Sequence, residues 1–391
     1  MNSSPAVSPR LIPFGILLLS LAGCGGNAPA PVAKPGNPNT PVPMSPASTS
    51  PTSPTTTAAS SDKPFMPFEN PDPIEEPRLV EAAVVKELEG RHVRFHPDGK
   101  KAYAAEKEIR VYDVRTWELS TSWPRVGKEI DRIEISRDGR VLIAAHEGGQ
   151  VSVWDTATGE NVYKFTHPAS EDTMTGDTFQ TPRNFAISPD GEWVASGEGG
   201  NFECFLWQAT TGKVQWKWTT EWRDVKPADF NPSGDTIAAM GMAKIDFRDA
   251  ATGQVKQSIS LDYKGVVDDV RYSPNGEQLL VWCKKDDPDR SVMALFDTRT
   301  RALLWKRETG FRSMYSTAYS PDGNTIAVAG ELPRKENDDD RRIIQFRNPK
   351  DGKLRFASAA KGMNFLARLA FSPDGNLLAA GHVILRVPEA K

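Results

Sequence analysis

The sequence is short of several things that would make its function easy to place. Three cysteines and five histidines occur in 391 residues. Neither charge sign dominates, with 48 Lys and Arg against 51 Asp and Glu and a net charge of -3. Such a balance gives no electrostatic footprint for nucleic acid. Long helix-forming runs of Ala, Glu, Leu and Lys are missing, while Gly and Pro are common, which favours a turn-rich β protein. No G-x-S-x-G elbow appears, so the commonest hydrolase signature is absent. The one long apolar run, "LIPFGILLLSLAG" at 11–23, is too short and too broken for a membrane span. Among the histidines only His92 and His96 are spaced as a candidate metal pair, on one strand face. A single rim histidine beside a turn is the simpler reading. The carboxylates of "KKDDPDR" (284–290) and "RKENDDDRR" (334–342) alternate with cations, as solvated loops do, rather than forming a calcium cage.

What is present begins at the amino terminus. "MNSSPAVSPR" carries one Arg and no acid, and the apolar run after it ends in "LAGC", Leu21 to Cys24. This resembles the lipobox of bacterial lipoproteins. The resemblance implies a signal peptide over 1–23 and cleavage before Cys24, whose sulfur and amine would carry lipid. Several acyl chains hold a protein on a bilayer, where one gives only marginal binding. Gly25 follows where some diderm bacteria place an Asp retention signal, which points to an outer membrane. The expected location is therefore the cell envelope, with the remainder of the chain outside the cytoplasm.

Residues 24–78 hold Cys24 and then a stretch dominated by Pro, Ser, Thr and Ala, "GGNAPAPVAKPGNPNTPVPMSPASTSPTSPTTTAASSDKPFMPFENPDPIEEPR". Such a composition buries too little apolar surface to offset its ordering entropy. It reads as a tether, able to reach roughly 170 Å at about 3.1 Å per residue if fully stretched.

From residue 79 onward one turn recurs. It is written "FHPDGK", "ISRDGR", "ISPDGE", "FNPSGD", "YSPNGE", "YSPDGN" and "FSPDGN", with glycines at 99, 139, 191, 234, 276, 323 and 375. The intervals are 40, 52, 43, 42, 47 and 52 residues, the period of a propeller or array. Each copy has the same logic: Pro presets φ, Asp or Asn caps its own backbone, and Gly takes the positive-φ position. A second element follows each turn: "VYDVRTWE", "VWDTATGE", "LWQATTGK", "FRDAATGQ", "LFDTRTRA" and "FRNPKDGK". Short apolar runs such as "VLIAA" and "TIAVA" lie between the two. Cys204 and Cys283 fall in different repeats, out of disulfide reach, and read as small buried hydrophobes.

Over 79–391 the pattern resembles the WD40 family, through the "SPDG" turn and the strand end Val153-Trp154-Asp155. The resemblance implies an all-β, seven-bladed propeller of four-stranded blades. The family's Gly-His pair is missing from most repeats, and Trp is replaced at several strand ends. The same turn occurs in TolB-type propellers. The last repeat runs out after three strands, so "RLVEAAVVKELEG" (78–90) is expected to supply the fourth strand of the last blade and close the ring.

"DTRTRALLW", "QATTGKVQW" and "DTATGENVY" share D-x-x-T-G-x-x-x-aromatic, or a close variant of it. They resemble the tryptophan-docking repeat of pyrroloquinoline-quinone propellers. The plainer reading is a turn between third and fourth strands, followed by an aromatic that packs on the next blade. Trp216, Trp218 and Trp222 could form a sugar-stacking stripe, but Trp216 and Trp218 share a strand face and suit inter-blade packing.

Loop lengths mark one face. Turns between first and second and between third and fourth strands are uniformly tight. The insertions, at 166–184, 284–291 and 331–342, all fall on the opposite side. Loops on a rigid scaffold concentrate binding residues. The candidate binding residues are Glu171, Asp172, Asp177, Lys284, Asp286, Asp287, Arg334, Asp338, Asp339 and Arg341. Neutral drift of permissive loops would give the same lengths. The expected function is a lipid-anchored, non-catalytic protein-binding or scaffolding module for an unidentified protein partner, with no cofactor, no metal and no nucleic acid. The alternative is a quinoprotein-like or other channel-site enzyme, or a small-ligand receptor. Quinone absorbance or a conserved charged cluster in the channel would favour the alternative.

Overall fold

The computed structural model describes residues 78–166, 170–171, 178–179, 184–197, 203–219, 226–241, 244–261, 266–284, 291–333, 342–359 and 368–388. Cys24 and residues 1–77 lie outside the described residues. The described strands form seven four-stranded sheets and one two-stranded hairpin, Ser170–Glu171 with Thr178–Phe179. Blade 1 is built from His92–Phe95, Lys101–Ala105, Ile109–Asp113 and Leu119–Trp123. Blades 2 to 6 run over 130–166, 184–219, 226–260, 266–308 and 313–359. Blade 7 takes Leu369–Phe371, Leu377–Ala380 and Val383–Arg386 from the end of the chain and Val84–Glu87 from before blade 1. The fold is an all-β seven-bladed propeller of four-stranded antiparallel blades, as the repeat count implied.

Strand periodicity explains why the blades stack. Successive side chains point to opposite faces. In Lys101–Ala105, Ala102 and Ala104 join Ala379 and Ile384 of blade 7. Tyr103 and Ala105 join Ile133, Leu142 and Trp154 of blade 2. The second and third strands of each blade are therefore apolar on both faces, and each interface between blades is a hydrophobic cluster of its own. Cys204 and Cys283 sit in two of these clusters, buried and unbridged. Burial pushes the Cys283 thiol up to about 12.

The recurring turn is built as its residues suggest. In the blade 3 copy, Gly191 N donates to Ser188 O at 2.9 Å, with Gly191 at φ 72°. Ser188 Oγ takes a bond from Trp193 N at 2.9 Å, and Asp190 Oδ1 takes one from Glu192 N at 3.1 Å. Blade 2 adds a buried polar chain. Trp154 Nε1 donates to Ser152 Oγ at 2.9 Å, and His146 Nε2 lies 2.7 Å from the same hydroxyl.

The D-x-x-T-G turns dock neighbouring blades. Asp155 Oδ1 accepts from Ala157 N at 2.9 Å and Thr158 N at 2.8 Å, and Asp297 Oδ1 repeats this with Arg299 N and Thr300 N. The glycine of the turn then receives an aromatic from the fourth strand of the preceding blade: Trp123 on Gly159, Tyr163 on Gly212, Trp216 on Gly253 and Trp305 on Gly352. Trp216 Nε1 donates to Ala250 O at 2.8 Å and Trp305 Nε1 to Pro349 O at 2.7 Å. The aromatics of the motif thus serve blade-to-blade packing.

The two exceptions occur together with their causes. Blade 4 carries Gln257 where the docking aromatic belongs, and the next turn has Arg301 in place of glycine, at φ 63°. Its guanidinium lies back over Phe247 of blade 4, 3.9 Å from the ring centroid. Blade 7 ends on the strand Val84–Glu87 with no aromatic, and the next turn has Trp117 at φ 58°. Trp117 packs on the cluster between blades 7 and 1. These are the only non-glycine residues with positive φ among the described residues. No aromatic comes down at either place, so a side chain has room to fill the gap.

Closure follows from the strand that precedes blade 1. Val84–Glu87 pairs antiparallel with Val383–Arg386, matching Val84 to Leu385 and Glu87 to Val383. Leu88 N donates to His382 O at 2.9 Å, and the Leu88 side chain is buried between blades 7 and 1. The segment just before it also clips onto blade 6: Val80 N donates to Ala357 O at 2.7 Å and Ala357 N to Arg78 O at 3.0 Å. One strap thus joins three consecutive blades.

Deleting residues 78–90 should lower the melting temperature by on the order of 10 °C in calorimetry, since it opens the ring and exposes an edge. The docking turns allow a sharper comparison. A Cβ at Gly253 would lie 2.7 Å from the Trp216 ring, whereas one at Gly99 would meet nothing within 4 Å, and both glycines have φ of 73°. Gly253→Ala should therefore cost about 1–2 kcal/mol more than Gly99→Ala in denaturant melts, because only the former adds a clash to the backbone strain.

A charged mouth at the turn side of the channel

The first strand of each blade lines the central channel. Where these strands run out into the repeated turns, the channel opens into a cavity of about 390 Å³. Its walls are Phe95, Phe185, Phe230 and Phe371 with the turn prolines Pro97, Pro189, Pro321 and Pro373. Its charged lining is Arg132, Glu134, Arg137, Asp229 and Arg271.

Period-two alternation puts Arg132 with Glu134, and Asp269 with Arg271, on the channel face of their strands. Arg94 of blade 1 grips Glu134 of blade 2 with two bonds, at 2.8 and 2.9 Å. Arg132 reaches the same carboxylate at 3.0 Å, donates to Phe185 O at 3.1 Å and lies 4.5 Å over the Phe185 ring. These bonds link blades 1, 2 and 3. On the other side, Arg271 pairs with Asp269 at 3.0 Å, and Arg368 of blade 7 reaches Asp269 of blade 5 at 3.5 Å, spanning blade 6. Asp229 Oδ2 accepts from Tyr272 N at 3.0 Å, tying blade 4 to blade 5.

The surroundings set the protonation of each group. Burial would raise the Glu134 carboxyl, but the Arg94 and Arg132 guanidiniums hold it well below the usual carboxylate range. Asp229 is pushed up to about 6 by burial, which the Arg271 guanidinium only partly offsets. Burial also raises Asp269 against the pull of Arg271 and Arg132, and its Oδ1 has no hydrogen-bond partner among the described residues. His92, on the neighbouring strand, is lowered to about 4 by burial and by Arg94, so it is neutral at pH 7. The His92 and His96 pair is not a metal site. Four residues of strand put the two about 13 Å apart, and His96 Nδ1 lies 2.8 Å from Asp98 Oδ1. Among the described residues no group of three or more His, Cys, Asp or Glu is arranged to hold a metal.

Arg137 is the residue that departs from the repeat. Six of the seven turns have Pro at this position; "ISRDGR" has Arg. The exposed Arg137 donates to Pro274 O of blade 5 at 3.0 Å, so it crosses the mouth. That bond is the one it makes among the described residues.

The candidate loop residues cannot be joined to this site. Asp172, Asp177, Asp286, Asp287, Arg334, Asp338, Asp339 and Arg341 lie outside the described residues, as does Trp222. Glu171 and Lys284 are placed by backbone alone. Glu171 pairs with Thr178 in the small hairpin, and Lys284 ends the strand Gln278–Lys284, paired with Ser291. The channel residues were not anticipated from sequence. Their signal was there, as charged residues at alternating positions in strands such as "IDRIEI" and "VVDDVRY" that face inward, and as the missing proline of the blade 2 turn.

A scan of the sequence against protein-family models gives no match, and neither does a search of curated proteins. Solved structures do match in fold. A chain from the crystal structure of a mitotic checkpoint complex aligns over 87% of this chain and 99% of its own, at 14% identity and a TM-score of 0.60. The β-propeller domain of Myceliophteria thermophila Cps50 (Swd1) aligns over 78% of this chain and 100% of its own, at 17% identity and a TM-score of 0.62.

Asp229 supplies a pH test. Its folded value lies above the ordinary carboxylate value, so the folded protein binds this proton more tightly than the unfolded chain does. Its contribution to stability is present below about pH 4 and is lost as the pH rises through about 6. Asp229→Asn should leave stability near the wild-type level at pH 4 and raise it at pH 7, as read from denaturant midpoints at the two pH values.

Proposed function

We propose that the protein is a lipid-anchored scaffold of the bacterial cell envelope, a propeller that binds protein partners without catalysing a reaction on them. The observation that carries this reading is the way the ring spends its charges. Arg94, Glu134 and Arg132 join three blades, and Arg271, Asp269 and Arg368 join two across a third. Glu134, clamped by two guanidiniums and shifted far down, is poorly suited to take up a proton. The channel is thereby cross-tied into a rigid hub, and rigid hubs with elaborated loops on one face suit partner recognition. One structurally similar chain was solved within a mitotic checkpoint complex, which is consistent with a scaffold role. The "LAGC" stretch supports attachment through Cys24, and the Pro, Ser and Thr-rich segment after it would hold the ring off the membrane.

The charged cavity favours a second reading, a propeller that takes a small ligand in its channel mouth. The two readings use different residues and are compatible.

Two measurements test the proposal. In cells supplied with labelled palmitate, the wild-type chain should take up label and sediment with membranes, and Cys24→Ser should do neither. A Cys24→Ser chain that still sediments with membranes would overturn the lipid anchor. Affinity capture from detergent-solubilised envelope, with the full chain and a variant trimmed at 166–184, 284–291 and 331–342, should yield a stoichiometric partner only with the untrimmed loops. Equal capture by both would remove the loop face from the proposal.

A further inference from the structure

We propose that the turn-side mouth of the channel binds a small organic anion: a carboxylate or phosphate head on an aromatic or otherwise apolar body. Three features of the cavity converge on this class.

The first is charge. The cavity is lined by Arg132, Arg137 and Arg271 against the carboxylates Glu134 and Asp229, while Arg94 and Arg368 sit behind it, paired with Glu134 and Asp269. Three cations thus face two anions in the lining. The excess sits in a partly enclosed site, where charge is screened less than at an open surface. Asp229, raised to about 6, is still mostly ionised at pH 7, but it takes up a proton beside an incoming anion more readily than an ordinary carboxylate would.

The second is the wall. Phenylalanines and prolines ring the cavity, offering rigid apolar surface to a ligand body rather than hydrogen bonds to a sugar or a peptide backbone. The volume of about 390 Å³ fits a molecule of metabolite size.

The third is Arg137. It replaces the one proline that the blade 2 turn would otherwise carry, and it reaches over the opening to Pro274 O. Spanning the mouth, it narrows entry to small molecules. Its guanidinium, with one bond among the described residues, retains donors for a planar carboxylate or a phosphate. The site lies at the turns between first and second strands, whereas Lys284, Ser291, Glu331 and Arg342, which flank two of the insertions, end their strands on the other side of the ring, so it is independent of the scaffold reading.

The test is calorimetric titration of the purified full chain in neutral detergent with phenylacetate, phenyl phosphate, benzylamine, acetate and inorganic phosphate. One or both aromatic anions should bind one per chain with a Kd of about 1 mM or tighter, as expected for ligands of this size. The tighter of the two identifies the head group. Acetate, inorganic phosphate and benzylamine should bind far more weakly. Arg137→Ala, an exposed change that leaves the fold intact, should weaken the aromatic anion by about fivefold. Asp229→Asn should tighten it by roughly threefold through loss of a carboxylate. Absence of binding by both aromatic anions, equal binding of benzylamine, or affinities unchanged in both variants would overturn the proposal.

Discussion

The structure depends on the fact that no blade can bury its own faces. A four-stranded sheet with apolar residues on both sides is unstable in water until another sheet covers each side. Ala102 with Ala104, and Tyr103 with Ala105, show the requirement within five residues, one pair turned toward blade 7 and the other toward blade 2. A linear stack would leave two such faces open. Closing the stack into a ring leaves none, and the chain achieves this by giving blade 7 its outer strand from before blade 1. The ends of the propeller are thereby held together by main-chain hydrogen bonds and by Leu88, which is 4% exposed.

That constraint explains why the repeats could be read. Turns need glycine where φ is positive and a short side chain to cap the backbone, and these needs recur once per blade whatever else changes. The turn glycine therefore recurs in all seven repeats, whereas the residues at the strand ends differ from blade to blade. The D-x-x-T-G turns were legible for the same reason, and their aromatics do dock on the next blade. Their exceptions carried a rule that the motif alone did not reveal. Glycine is required there because an aromatic descends on it, and where the aromatic is lost, as at Gln257, the glycine is free to become Arg301.

The channel was hidden for a different reason. A strand residue is read as inward or outward by its polarity, and Arg132, Glu134, Asp269 and Arg271 look like ordinary solvent-facing positions. In a propeller the inner strand has its open edge at the axis, so a polar residue there meets other blades rather than bulk water. Its partners are set by ring geometry, not by sequence distance: Arg368 and Asp269 are 99 residues apart, and Arg137 and Pro274 are 137 apart. No local pattern announces such pairs. The loop face, by contrast, was argued from lengths alone, and length says where residues are permitted to vary without saying what they touch.

A ring of paired charges at the axis has an energetic consequence that the apolar clusters do not share. Desolvating a carboxylate and a guanidinium costs several kcal/mol per ion, and a pair recovers this only with good geometry and further hydrogen bonds. Glu134 has both, through Arg94 and Arg132. Asp269 has less, since one oxygen lacks a partner among the described residues, and Asp229 relies on one backbone bond and the nearby Arg271. The two halves of the channel are therefore unequal. On the side formed by blades 1 to 3, two guanidiniums meet Glu134 and tie the three blades to one another. The side formed by blades 4, 5 and 7 is held less completely, and the Arg137 that reaches across toward it is exposed. Incomplete satisfaction beside an open, aromatic-walled cavity is where a propeller can accept a ligand without giving up the contacts that keep it closed.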